Sequence, residues 1–247
     1  MQKSIAKSAE NRYNRVGEKP FSRKGVERMD LFDLIGPVMI GPSSSHTAGA
    51  ARIGRITRML LGEEVQYADI RFHGSFAKTW EGHGTDRAVI GGLLGLQVDD
   101  ERLRKSRALA EQAGMRYTIS AVQLRDAHPN TVLIDAVGVS GAQISVQAVS
   151  VGGGSIRVQY LNGLEVGFSG ERTTLVIQHR DTPGAIAKVS RLLAAARLNI
   201  ATMRVFRAEA GGRAVMALEL DSVPDDSLVA ALRNVPAIQR VTLLDRL

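Results

Sequence analysis

Residues 173–200 read TTLVIQHRDTPGAIAKVSRLLAAARLNI. Thr173 to Asp181 is a β-branched, apolar run of the kind that forms a strand. The chain then turns at Asp181-Thr182-Pro183-Gly184, and "PGAIAKVSRLLAAARL" reads as a helix, with Pro183 placed where a first turn tolerates a missing N–H. Working outward, "NIATMRVFRA" and "GGRAVMALELD" predict two further strands, "DDSLVAALRNV" a second helix, and "AIQRVTLLDR" a closing strand. The order is βαββαβ, the split βαβ arrangement, with two helices on one face of a four-stranded antiparallel sheet.

Upstream, residues 115–170 carry β-branched stretches cut by glycine-rich turns, and Asn162-Gly163 is a strong hairpin signal. Before them, the segment from about Thr47 to Leu61 has an apolar face (Ala48, Ala51, Ile56, Leu60) and ends at Gly62, as a helix does. "VQYADIRFHGSF" predicts a strand followed by a turn. "GTDRAVIGGLLGL" predicts a helix capped by Thr85 or Asp86, and "RLRKSRALAEQAG" a charged helix ending at Gly114. "MDLFDLIGPVMIG" (Met29 to Gly41) suits a short helix and a turn at Gly36-Pro37. The expected fold class is α+β: an N-terminal α+β domain over residues 29–169, with "FSGER" as a short linker, and a ferredoxin-like βαββαβ domain over residues 170–247.

Composition narrows the function. Of 247 residues, 44% are hydrophobic and 23% charged, ordinary for a globular protein. No apolar run approaches a membrane span and no signal peptide is legible, so the cytoplasm is the expected location and a membrane partner is not expected. The chain has no cysteine, which excludes disulfides and any thiolate metal site built from this chain alone. The net charge of +7 is concentrated at one end: residues 1–28 hold eight of the 32 basic residues and three of the 25 acidic ones. Residues 29–247 are nearly balanced, and aromatics are only 4%, so neither a basic stripe nor stacking platforms speak for nucleic acid. The tail itself is polar, lacks periodicity and reads as disordered.

Chemistry concentrates in "GPSSSHTAGAARIGR" (Gly41 to Arg55), where Ser43, Ser44, Ser45, His46 and Thr47 stand together before a helix. One serine suffices as a cap. The plain structural alternative is a cap, a polar loop and a surface histidine. The functional one is an anion seat, because free N–H groups and the macrodipole at a helix start favour a carboxylate or phosphate. A histidine beside it can handle a proton near neutral pH. A second polar cluster, "WEGHGTDR", places His83, Thr85 and Asp86 at another helix start, so the two starts point to one shared pocket. No nucleotide P-loop occurs. A hydrolase using Ser44 or Ser45 with His46 is disfavoured, since adjacent residues rarely aim at one another and no G-x-S-x-G elbow is present.

Two resemblances follow from these motifs. The Asp181-Thr182-Pro183-Gly184 turn and the later Asn199-Ile200 pair resemble the ACT domain, a regulatory amino-acid-binding module. By that resemblance His179, Asp181, the backbone near Gly184 and Asn199 would bind an amino acid such as serine, with ligand held between two copies, which implies a homodimer. The alternative is a strand end, a helix cap and a turn. The combination "GPSSSHTAGAARIGR…HGSFAKTWEGHGTDRA" followed by an ACT module is similar to the β subunit of iron–sulfur-dependent L-serine dehydratase, over about residues 29–247. Its N-terminal part is similar to allosteric substrate-binding domains. The resemblance implies conversion of L-serine to pyruvate and ammonia with a 4Fe–4S cluster in place of pyridoxal phosphate. The cluster would be held by cysteines of a separate α subunit, with no metal ligand on this chain. By the same resemblance Ser43, Ser44, Ser45, Thr47, Thr85 and Asp86 would hold the substrate; His46 and His83 are the candidates for proton handling, the sequence does not choose between them, and the base could equally lie on the α subunit. A stand-alone amino-acid sensor is the competing function; the dense Ser-Ser-Ser-His-Thr block speaks against it.

Overall fold

The computed structural model describes residues 41–246. The basic tail over 1–28, and the helix and turn expected from Met29 up to Ile40, lie outside the described residues.

The first helix begins with one wide π turn, Ser44–Gly49, and continues as α1 (Ala50–Leu61), closed by Gly62 at φ 78°. Ser43 caps it, its Oγ accepting from the His46 N–H at 3.3 Å. Strand β1 (Val65–His73) follows. The turn expected after it is only Gly74, at φ 60°; a ten-residue helix α2 (Gly74–His83) comes next. A Cβ on Gly74 would lie 2.7 Å from the Pro129 backbone, so glycine is required by both conformation and space. Helix α3 (Thr85–Leu93) is preceded by Gly84 in the left-handed region and has no side-chain cap. Thr85 and Asp86, expected as caps, are instead buried in its first turn. The charged helix divides into a 3-10 turn (Glu101–Lys105), capped by Asp100, and α4 (Ser106–Gln112).

Strands β2 (Arg116–Val122), β3 (Thr131–Gly138), β4 (Gln143–Gly152), β5 (Ser155–Leu161) and β6 (Leu164–Phe168) complete a six-stranded sheet in the order β2-β1-β3-β4-β5-β6. Among the described strands only β1 and β2 pair in parallel, and the helices α2–α4 form the long crossover that such a pair needs. Asn162 (φ 51°) and Gly163 (φ 79°) make the tight β5–β6 hairpin. Ala68, Ile70 and Phe72 of β1, with Ile134 and Val146, bury one face of the sheet under Ile53, Ile56 and Leu60 of α1 and Ile90 and Leu93 of α3.

Helices α1 and α3 touch backbone to backbone. A Cβ on Gly54 would lie 2.2 Å from the Val89 carbonyl oxygen, and one on Gly92 2.1 Å from that of Ala51. The contacts run in step along both helices, from Thr47 and Ala88 at a common cavity through Gly54 and Val89 to Arg58, whose guanidinium donates to the Leu93 carbonyl at 3.2 Å. The two helices therefore start at the same end of the domain.

Residues 173–244 form the expected βαββαβ unit: β7 (Thr173–Arg180), α5 (Ala185–Ala195), β8 (Ile200–Arg207), β9 (Arg213–Leu220), α6 (Asp226–Arg233) and β10 (Ile238–Leu244), in sheet order β10-β7-β9-β8. Leu175, Ile177, Met216 and Leu218 face a core that also takes in Val189, Leu193, Leu228 and Leu232 of the two helices. The intervening residues Val176, Val215, Ala217 and Leu244 belong to the core of the N-terminal sheet. Strands β7 and β9 are thus buried on both faces, which is why they read as continuous apolar runs. Ser169, in the expected linker, is held by Glu219, and Arg240 of β10 donates to the Leu61 carbonyl at the end of α1.

Candidate active site

The wide turn at Ser44–Gly49 sets the geometry. Gly49 passes so close to β4 that a Cβ would fall 2.1 Å from Ser150 Oγ, pinning the turn to the sheet. His46 projects from it with both ring nitrogens engaged: Nδ1 lies 3.1 Å from Ser45 Oγ and 3.3 Å from Ser43 Oγ, and Nε2 3.3 Å from Ser75 Oγ. Its ring packs edge-on against Phe76 and against His83, with centroids 5.1 and 4.8 Å away. Partial burial, and after it the neighbouring His83, hold the His46 pKa below the ordinary 6.5. Near neutral pH the ring is an acceptor for a proton rather than a cation.

On the His83 side of this pair lies a cavity of about 560 Å³ lined by Gly41, Thr47, His83, Gly84, Arg87 and Arg104, among others. Thr47 is 4% exposed, and among the described residues neither its Oγ1 nor His83 Nδ1 has a partner. Thr85 Oγ1 is likewise buried and unpartnered. Asp86, 1% exposed, turns to Arg107 in an ion pair at 2.6 Å. Ser44 is half-buried. The two polar helix starts are therefore brought together, with Thr47 and His83 on the cavity wall and His46 in contact with His83. Ser75, Arg87 and Arg104 were not singled out by the sequence. Ser75 follows His73-Gly74 at the start of a helix that the sequence disguised as a turn, and the arginines sit in charged helical stretches that look like solvated faces.

In the C-terminal unit, His179 is 2% exposed; its Nδ1–H donates to the Arg180 carbonyl at 2.9 Å, and Nε2 has no partner among the described residues. It lines a cavity of about 760 Å³ with Asp181, Thr182, Pro183, Gly184 and Arg207. Asp181 accepts from Arg207 at 2.8 Å and from the Gly211 N–H at 3.2 Å, which together hold its carboxyl below the usual range. Asn199 is not on this cavity. It precedes β8 at the opposite end from Arg207, about 26 Å of extended chain away, and donates to Asp221 at 2.6 Å.

A sequence profile of the serine dehydratase beta chain matches residues 29–126, and an ACT domain profile matches residues 173–237. The chain is 43% identical over 212 residues to a probable L-serine dehydratase beta chain of Bacillus subtilis, covering 86% of this chain and 96% of that one. The chain belongs to the serine dehydratase beta chain family. The L-serine dehydratase beta chain of Peptoniphilus asaccharolyticus is 37% identical over 205 residues, covering 83% and 92% of the two chains. A D-3-phosphoglycerate dehydrogenase of Bacillus subtilis is 30% identical over 197 residues, covering 79% of this chain but 37% of that enzyme. The family thus accounts for a mixed α+β chain with a C-terminal ACT domain, as the sequence predicted. No helix among the described residues is long and apolar enough to cross a membrane.

Proposed function

We propose that this chain is the β subunit of an iron–sulfur-dependent L-serine ammonia-lyase, converting L-serine to pyruvate and ammonia together with a cysteine-bearing α subunit. The observation that carries the proposal is the contact of His46 with His83, itself on the wall of a cavity that Thr47 and two arginines also line, in a chain of this family.

The donor set of this chain does not fit a 4Fe–4S cluster. It has no cysteine, and among the described residues no group of three or more His, Asp or Glu side chains could hold a metal. In this proposal the cluster belongs to the α subunit, and this chain's own part is binding and proton handling. Thr47 offers a hydroxyl to the substrate. His46, kept neutral by burial and by His83, takes or returns a proton, and Ser43, Ser45 and Ser75 hold its ring. His83, with an unpartnered buried Nδ1, is the second proton-handling group.

For the C-terminal unit we propose a serine-sensing role for His179, Asp181, the backbone at Gly184, and Asn199. Strand β8 is a sheet edge, exposed along most of its length. Antiparallel pairing of two β8 edges would carry Asn199 of one copy to His179 and Asp181 of the other, the homodimer that the one-chain separation requires.

The test is co-expression with a cysteine-bearing α chain and an anaerobic assay for pyruvate from L-serine. The expected result is activity in the pair and none from this chain alone, which should purify colourless. A stoichiometric, oxygen-sensitive cluster on this chain alone would overturn the two-subunit account.

A further inference from the structure

We infer that the substrate carboxylate is gripped by Arg87 and Arg104 at the start of α3, while Ser43 and Ser45 serve to position His46. The inference rests on the proposed serine-binding role of this cavity and assigns the groups within it.

Four arginines lie in two short stretches beside the cavity, and their partners differ. Arg102 is held by Asp100 at 2.6 Å, and Arg107 by Asp86 at 2.6 Å. Arg87 and Arg104 line the cavity and have no ion-pair partner among the described residues. Between them α3 begins without a side-chain cap, so its first N–H groups and positive dipole end meet the same cavity. The only acid of that first turn, Asp86, is committed to Arg107. Thr47, on the cavity wall, is 4% exposed, and among the described residues neither its buried Oγ1 nor His83 Nδ1 has a partner. Two guanidinium groups, an open helix N-terminus and an idle hydroxyl form a donor-rich, positive seat, and its chemical complement is a small carboxylate. The hydroxyls of Ser43 and Ser45 are already spent. Ser43 and Ser45 lie 3.3 Å from each other and 3.3 and 3.1 Å from His46 Nδ1, so they are positioning residues.

Trp80, the one tryptophan of the chain, stands three residues before His83 on α2 and stacks on Phe72, so its fluorescence follows the helix that carries His83 and not the ACT domain. The experiment titrates the full chain, alone and assembled with its α subunit, with L-serine and with L-serinamide, which lacks the carboxylate. Trp80 fluorescence and the His46 and His83 ring-proton resonances are the readouts. L-serine should saturate the signal, and L-serinamide should bind at least tenfold more weakly. Arg87→Gln and Arg104→Gln should each raise half-saturation about tenfold or more, from loss of charge-assisted hydrogen bonds, with partial recovery in Arg87→Lys. In the assembled enzyme these variants should raise KM, whereas Ser45→Ala should lower kcat and leave half-saturation close to wild type. Wild-type half-saturation and KM in both glutamine variants, or equal affinity for serinamide, would overturn the inference, as would silence of both reporters towards L-serine. If the assembled enzyme makes no pyruvate, the proposed reaction fails while an arginine-dependent response to L-serine still upholds the seat.

Discussion

His46 carries two testable consequences, one for stability and one for rate. Its folded pKa is held below the ordinary 6.5, first by burial and then by His83, so folding favours the neutral ring. The unfolded chain therefore binds more protons in that range. The stability tied to neutral His46 is full above pH 6.5 and is lost as pH falls from there through the folded value. His46→Gln removes the titration, so the difference in unfolding midpoint between pH 7.5 and pH 5.5 should shrink in the variant. A variant that keeps the full wild-type difference would place the effect on another group. In the assembled enzyme His46→Ala should cost on the order of 10²-fold in kcat, the usual worth of a positioned acid–base group. Steady-state kinetics with L-serine checks it. The sequence made both histidines legible as a pair of helix-start imidazoles. It did not show Ser75, because a hydroxyl acquires its role only when β1 and α2 place it 3.3 Å from the His46 ring.

Helices α1 and α3 depend on two glycines whose only role is closeness. A Cβ on Gly92 would meet the Ala51 carbonyl oxygen at 2.1 Å, and backbone cannot move aside as a side-chain tip can. Gly92→Ala should therefore cost about 1–3 kcal/mol, as overpacking does, and should widen the space between the two helix starts. A Cβ on Gly82, near the end of α2, would meet nothing within 4 Å, and the residue has an ordinary helical φ. Gly82→Ala should be neutral or stabilising by up to about 1 kcal/mol. Denaturant unfolding of the two variants side by side distinguishes them; equal effects would show that the helix contact is looser than the distances state. The helices themselves were mostly readable from apolar spacing and stop glycines. Helix α2 was not, because glycines flank it and the short GSFAKTWEGH segment (Gly74 to His83) shows only Phe76 and Trp80 as an i, i+4 apolar pair.

The C-terminal βαββαβ unit shares its core with the rest of the chain. Val176, Val215, Ala217 and Leu244 pack with the N-terminal sheet, and Arg240 holds the last carbonyl of α1. The sequence pattern reads as a separate domain after a short linker; the shared core argues for a coupled unit instead. Residues 170–247 expressed alone should expose that apolar face, bind a hydrophobic dye, and unfold at lower denaturant than the same region does in the full chain. A monodisperse fragment as stable as the full chain would refute the coupling. If ACT-bound serine alters the rate–serine curve, the route available is short, because the helix gripped by Arg240 at Leu61 begins at the His46 turn.

What the sequence by itself determined were the properties carried by local order. Strand and helix periods, the Asn162-Gly163 hairpin, the βαββαβ succession and the PSSSHT block each depend on residues near one another in the chain. The absence of cysteine is likewise a property of composition alone, and it means that a thiolate-held cluster cannot belong to this chain. Only the tertiary structure decided which polar atoms are spent and which are idle. Ser43 and Ser45 turn inward to His46, Asp86 to Arg107, and Asn199 to Asp221, whereas Thr47, His83, Arg87 and Arg104 face an open cavity. A side chain's partner is set by packing between elements far apart in sequence, here by two glycine-paved helices and a sheet buried on both faces, and no local pattern encodes that distance.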